Sequence, residues 1–125
     1  MSVTVARDGG IATLLIEAPP VNLYSLALHD AFDAALDVID ADPPRVLVIR
    51  AAGRVVSGGV DVSEFRARET QADTLALYDR MMELPQRIER LTFPTIFVSH
   101  GLTLTWALEV ALACDLLLAS EKARF

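Results

Sequence analysis

From one end of this chain to the other, short β-branched runs alternate with segments whose apolar residues recur every three or four positions. That alternation restricts the fold more than any other feature. Residues 45–49 (RVLVI) follow a double proline and read as a buried strand, because β-branched side chains suit a pleated sheet. Upstream, Leu28, Phe32, Leu36 and Ile39 recur at steps of four, four and three, which gathers them on one helical face. Asp30, Asp33, Asp37 and Asp40 fall largely to the other side, and Ser25 stands at the N-cap position. Pro43 and Pro44 then end the helix.

The same reading extends in both directions. Residues 3–6 and 11–16 read as strands joined by a turn at Gly9-Gly10, and Pro19-Pro20 take the chain out of the sheet. After a loop over residues 52–61 come a short helix to about residue 67 and a longer one from about 71 to 91. Leu75, Tyr78, Met82 and Ile88 are read as the inner face of the longer helix, with Pro85 bending it. A strand over 94–99, a helix over 105–114 and a strand over 115–119 complete the series. Strands alternating with helices imply an α/β fold with partly parallel pairing. Nothing marks a domain boundary.

Composition excludes several classes of function. The net charge is −6 and Lys and Arg form no cluster, so the basic footprint that nucleic-acid binding requires is missing. One cysteine, Cys114, allows no internal disulfide, and its apolar surroundings favour a buried, inert thiol. His29 and His100 lie well apart, which gives a metal site little support. Residues 101–120 are apolar over a membrane-spanning length, yet Glu109 and Asp115 fall within them. Each acid would cost roughly 2.5–3.5 kcal/mol at mid-bilayer, which argues against a span. No signal peptide precedes the first strand, so the cytoplasm is the expected location. The hydrophobic content is 53% and the mean hydropathy +0.39, high values for a chain of 125 residues. They predict apolar surface meant to be covered by further sequence or by partner subunits, and poor solubility without that cover.

Two segments carry features that packing does not demand. Ser57-Gly58-Gly59-Val60-Asp61 follows a strand and opens a helix, so its backbone amides are placed to meet a ligand. It also reads as a flexible turn with Asp61 as N-cap. His100-Gly101 through Trp106 to Glu109 again joins a strand to a helix, and Glu109 lies one turn inside an apolar helix. An unpaired carboxylate there loses solvation, the setting of a working acid or base; a basic partner is the other reading. Two such turns aiming amides at one point would make an oxyanion hole.

Taken together, these residues resemble the crotonase (enoyl-CoA hydratase/isomerase) superfamily. Residues 16–25 (IEAPPVNLYS), 45–65 and 94–125 carry the resemblance. Glu109, the Ala-Cys-Asp at 113–115 and the Ala-Arg-Phe at 123–125 stand in the family's order. The resemblance implies an incomplete crotonase-like (ClpP/crotonase) spiral ββα fold, with residues 1–125 forming the N-terminal part of the core domain. It implies an enzyme in which two N–H groups, those of Gly58 and Trp106, polarise an acyl-CoA thioester and hold its enolate, while Glu109 handles a proton or water. It implies substrate contacts from Val21, Asn22, Leu23, Tyr24, Gly59, Val60, Asp61 and Val62, with Arg54 toward the phosphates. Coenzyme A then enters as part of the substrate, no separate cofactor is needed, and trimers or hexamers are the expected assembly.

The chain departs from that pattern where the family has a run of glycines and this sequence has Thr105-Trp106-Ala107. The Trp106 amide survives the change, but its indole is expected in the space the thioester uses, reshaping or blocking it. The family's second glutamate is expected beyond Phe125. A catalytically silent acyl-CoA binder or an inactive truncated subunit is therefore the alternative to hydration of a 2-enoyl-CoA.

Overall fold

The computed structural model describes residues 1–125. Strands β1 (Ser2–Asp8) and β2 (Ile11–Glu17) form a hairpin, followed by helix α1 (Leu26–Ala41) and strand β3 (Val46–Ala51). Helices α2 (Val62–Arg66) and α3 (Gln71–Glu89), strand β4 (Thr95–Ser99), helix α4 (Trp106–Ala113) and strand β5 (Leu116–Ala119) follow. The five strands form one sheet in sequence order. β1 and β2 are antiparallel, and every later pair is parallel, so each connection between them crosses over through helix.

Period-two burial decides which face of the sheet the helices cover. Ala12, Leu14 and Ile16 of β2, Leu47, Ile49 and Ala51 of β3, and Phe97 of β4 are buried and share one core with the helices. The intervening Thr13, Leu15, Val46, Val48, Ile96 and Val98 are only half-buried. From α1, Leu28, Phe32, Leu36 and Ile39 enter that core as the spacing predicts, each contributing about 1.5–3 kcal/mol on full burial. Ser25 caps α1, its side chain accepting from the Leu28 N–H.

The expected inner face of α3 is corrected. Leu75, Tyr78 and Met82 are exposed, and Leu77, Met81, Leu84, Pro85 and Ile88 are buried. Both sets follow helical spacing, so sequence periodicity does not choose between them. The second set is the one that packs into the core shared with α1 and the sheet. In the same orientation Arg80 of α3 binds Asp30, and Arg87 binds Asp33, Asp37 and Asp40 of α1. Thr70 and Asp73 form a capping box at its start, and the helix runs on through Pro85 to Glu89.

At the far edge, all four residues of β5 are exposed, as are Leu112 and Phe125. The predicted apolar surface is concentrated there. Asp115 anchors the edge by accepting from the Thr95 N–H at 2.8 Å and hydroxyl at 3.0 Å. These bonds hold its carboxyl below the usual carboxylate range. No helix is long and apolar enough to cross a membrane.

Candidate functional site

The two strand-to-helix turns singled out in the sequence lie side by side. The Val56 and Ser57 N–H groups donate to the Leu102 carbonyl at 2.9 and 3.0 Å, and the Leu104 N–H donates to the Ser57 carbonyl at 3.2 Å. The chain end joins them, with the Thr103 N–H donating to the Arg124 carbonyl at 2.8 Å. A Cβ placed on Gly59 would stand 3.8 Å from Thr105 Oγ1, so the residues just before Val60 and Trp106 are neighbours.

The amides of the first turn are allotted differently from the expectation. The Gly58 N–H donates to the Val21 carbonyl at 2.7 Å, which removes it as a donor to any ligand. Gly58 is small because Val21 and Leu23 crowd it: a Cβ there would lie 3.1 Å from Val21 Cγ2. The Gly59 N–H donates to Ser57 Oγ at 3.1 Å. Next, the Tyr24 N–H donates to the Gly59 carbonyl and the Asp61 N–H to the Tyr24 carbonyl, both at 2.9 Å. In parallel pairing these two bonds bracket Val60 and turn its own N–H away from Tyr24. The Val60 N–H meets no protein acceptor, and neither does that of Trp106 in the first turn of α4. Val60 was expected among the substrate contacts; its place in the bridge to Tyr24 singles it out as the unpaired amide.

Other expected contacts prove structural. Asn22 is buried with a left-handed φ of 51°. Its Oδ1 accepts from the Ala18 N–H at 2.7 Å, and its Nδ2 donates to the Ala52, Val55 and Val56 carbonyls at 2.9–3.1 Å. That knots the loop after β2 to the loop after β3 and leaves no polar atom for a ligand. Tyr24 is fully buried, its hydroxyl 2.9 Å from His29 Nδ1. Asp61 caps α2 by accepting from the Ser63 N–H at 2.9 Å, which holds its carboxyl low. Val62 and Arg54 are exposed, and the Arg54 guanidinium makes no ion pair among the protein's own groups.

The α4 side holds two surprises. Thr105 takes a φ of 48° and a ψ of −121° without a capping bond, a conformation suited to glycine. The Trp106 indole is 2% exposed and drawn into the core, its rings 6.2 Å from Tyr24 and 6.3 Å, edge-on, from Phe32. The indole expected to reshape or block the space the thioester uses is packed among core rings. Burial leaves three polar side-chain atoms without partners: Trp106 Nε1, Glu109 Oε2 and His29 Nε2. Glu109 is half-buried and pairs with no basic group. Cys114, read as a buried and inert thiol, is half-buried, and burial pushes its thiol up to about 11.

The family model for enoyl-CoA hydratase/isomerase matches residues 6–125. The chain belongs to that family. It is 33% identical over 124 residues to a probable enoyl-CoA hydratase of Bacillus subtilis (strain 168), covering 98% of this chain and 48% of that protein. It is 32% identical to the trans-2-decenoyl-[acyl-carrier-protein] isomerase of Streptococcus mutans serotype c, covering 94% of this chain and 47% of the relative. A crystal structure of an enoyl-CoA hydratase from Mycobacterium smegmatis superposes with a TM-score of 0.90 at 29% identity, covering 98% of this chain and 49% of that one. The sheet and helices are thus those of the crotonase fold, and the chain spans about half the length of the curated relatives it matches.

Proposed function

We propose that the complete protein binds an acyl-CoA with its thioester oxygen between the N–H groups of Val60 and Trp106. The observation that supports this most is a pair of unpaired amides on two adjoining strand-to-helix turns. Donors fixed before the reaction stabilise the negative charge that grows on a thioester oxygen as it becomes an enolate. Glu109, three residues after Trp106 on α4, offers a buried and unpartnered carboxylate oxygen. In hydration of a 2-enoyl-CoA it removes a proton from water as the water oxygen bonds to C3. The C2–C3 π electrons move onto the thioester as an enolate, and C2 then takes a proton from a second carboxyl that the family resemblance places beyond Phe125. Val62 and Arg54 are exposed and Arg54 makes no ion pair, which supports contact with coenzyme A, from Arg54 to its phosphates. Family resemblance supports assembly as trimers or paired trimers.

Hydration is tested by adding a 2-enoyl-CoA to the complete protein and following loss of the conjugated-thioester absorbance. Glu109→Gln keeps the shape and removes the base, so turnover should fall by about 100-fold or more. Unchanged turnover in that variant moves the chemistry elsewhere. Binding of the thioester with no absorbance change in the parent protein favours an acyl-CoA binder that performs no hydration.

A further inference from the structure

A buried polar pair that the thioester chemistry does not use lies directly behind the two turns. Tyr24 and His29 are both fully buried, with the Tyr24 hydroxyl 2.9 Å from His29 Nδ1 and the rings edge-on at 5.8 Å. His29 Nε2 faces Glu83 Oε2 at 3.6 Å. Arg80 binds Glu83 and also Asp30, the latter at 2.9 Å. Two apolar side chains would fill this volume without the cost of burying a hydroxyl and an imidazole. The polar pair therefore specifies an orientation, and the residue it orients is Tyr24.

Tyr24 touches both residues that carry the unpaired amides, Val60 through its main chain and Trp106 through its ring. Its main chain brackets Val60 through the bonds to Gly59 and Asp61, and its ring packs against Trp106 at 6.2 Å. We propose that His29 is a positioning residue for the thioester site: by accepting the Tyr24 hydroxyl it fixes the segment holding Val60 and the ring backing Trp106, and its protonation, which reverses that bond and strands the hydroxyl proton, loosens both. This rests on the proposed thioester reading for what is positioned, though not for the device itself.

The proton inventory supports the direction. With Nδ1 accepting from Tyr24, the single ring proton of neutral His29 sits on Nε2, toward Glu83. Protonation places a second proton on Nδ1, which then donates to the Tyr24 hydroxyl oxygen, so the bond reverses and the hydroxyl's own proton loses the acceptor it had. The groups around the ring are Tyr24 from the loop, Asp30 and Asp33 from α1, and Arg80 and Glu83 from α3. Burial first, and Arg80 second, lower the His29 pKa, against smaller opposing effects of Glu83, Asp33 and Asp30. A lowered folded-state pKa means the packed arrangement opposes the proton. Its full stability is present above the unfolded histidine value near 6.5 and is lost as pH falls through the folded value.

Trp106 is the one tryptophan in the sequence, so its emission reports this junction alone. In the 125-residue chain, titration from pH 8 to 4.5 should give a red shift and increased acrylamide quenching, with a midpoint below 6.5. His29→Asn supplies an oxygen near the Nδ1 position that accepts from Tyr24 without titrating, so the transition should vanish while emission at pH 8 is kept. Tyr24→Phe should show red-shifted emission already at pH 8 and no transition. Parent emission that is flat with pH overturns the proposal, and so does a transition that survives in Tyr24→Phe, the deciding variant if His29→Asn does not fold. In the complete protein, butyryl-CoA should bind at least fivefold more weakly at pH 5 than at pH 8, and equally at both in its His29→Asn variant. Equal parent affinities refute the positioning role. No binding at either pH refutes the thioester reading instead, while the emission titration still decides whether His29 holds Tyr24 and Trp106.

Discussion

At residues 57–62 the chain bends with the help of two glycines, and at 101–106 it makes the companion bend with a threonine and a tryptophan at the position where the helix begins. The first bend is inexpensive: Gly59 accepts a φ of 119° that side chains resist, and Gly58 yields the room that Val21 and Leu23 fill. The second bend is costly, since Thr105 sits at a φ of 48° and Trp106 brings a buried indole N–H with no acceptor. Both nevertheless present an unpaired amide. An outward N–H at a strand-to-helix corner is set by the ladder before it and the helix after it, and side chains only alter what holding that corner costs.

The largest effect should come from the indole that compensates the second bend. Trp106→Ala removes a large core side chain and should lower unfolding stability by about 3–5 kcal/mol, read from denaturant melts. A loss well under 1 kcal/mol would mean that the indole is not integral to the core. Gly59→Ala attacks the first bend at its positive φ and should destabilise by roughly 1–3 kcal/mol. A melt matching the parent would show that the turn has another conformation available. Smallest and opposite in sign is Thr105→Gly, which relieves the strained φ but gains freedom in the unfolded chain. A net stabilisation of up to about 1 kcal/mol is expected, and a destabilised variant would overturn the assignment of strain to Thr105.

Much of the fold is legible along the chain because its signals are local. The Leu28–Phe32–Leu36–Ile39 spacing, the Ser25 cap, the Asp61 cap and the β-branched runs each act within a few residues, and all appear in the structure. Where two local solutions are equally good, sequence reading fails. Leu75–Tyr78–Met82 and Leu77–Met81–Leu84 are both helical stripes, and packing against distant elements decides between them. The two turns read from the sequence do adjoin, but the amide read as free in the first, that of Gly58, is paired, and the free one is that of Val60. A glycine shows only that the backbone comes close to something, and at Gly58 that something is Val21. The parallel bridge between Tyr24 and Val60, 36 residues apart, is what leaves Val60 unpaired. His29 gave a faint signal, one polar ring among the buried positions of α1, whose meaning depends on Tyr24 facing it.

By itself the sequence determined the order and kind of the elements, the family they belong to, and the two corners where chemistry could gather. Those depend on propensities, caps and periodicities that each short stretch carries within itself. Only the tertiary structure decided which N–H stays unpaired, that the indole turns inward, and that an imidazole stands behind the site. Each of these depends on a partner far away in the chain, and hydrogen bonds and close packing are settled only when both partners are in place.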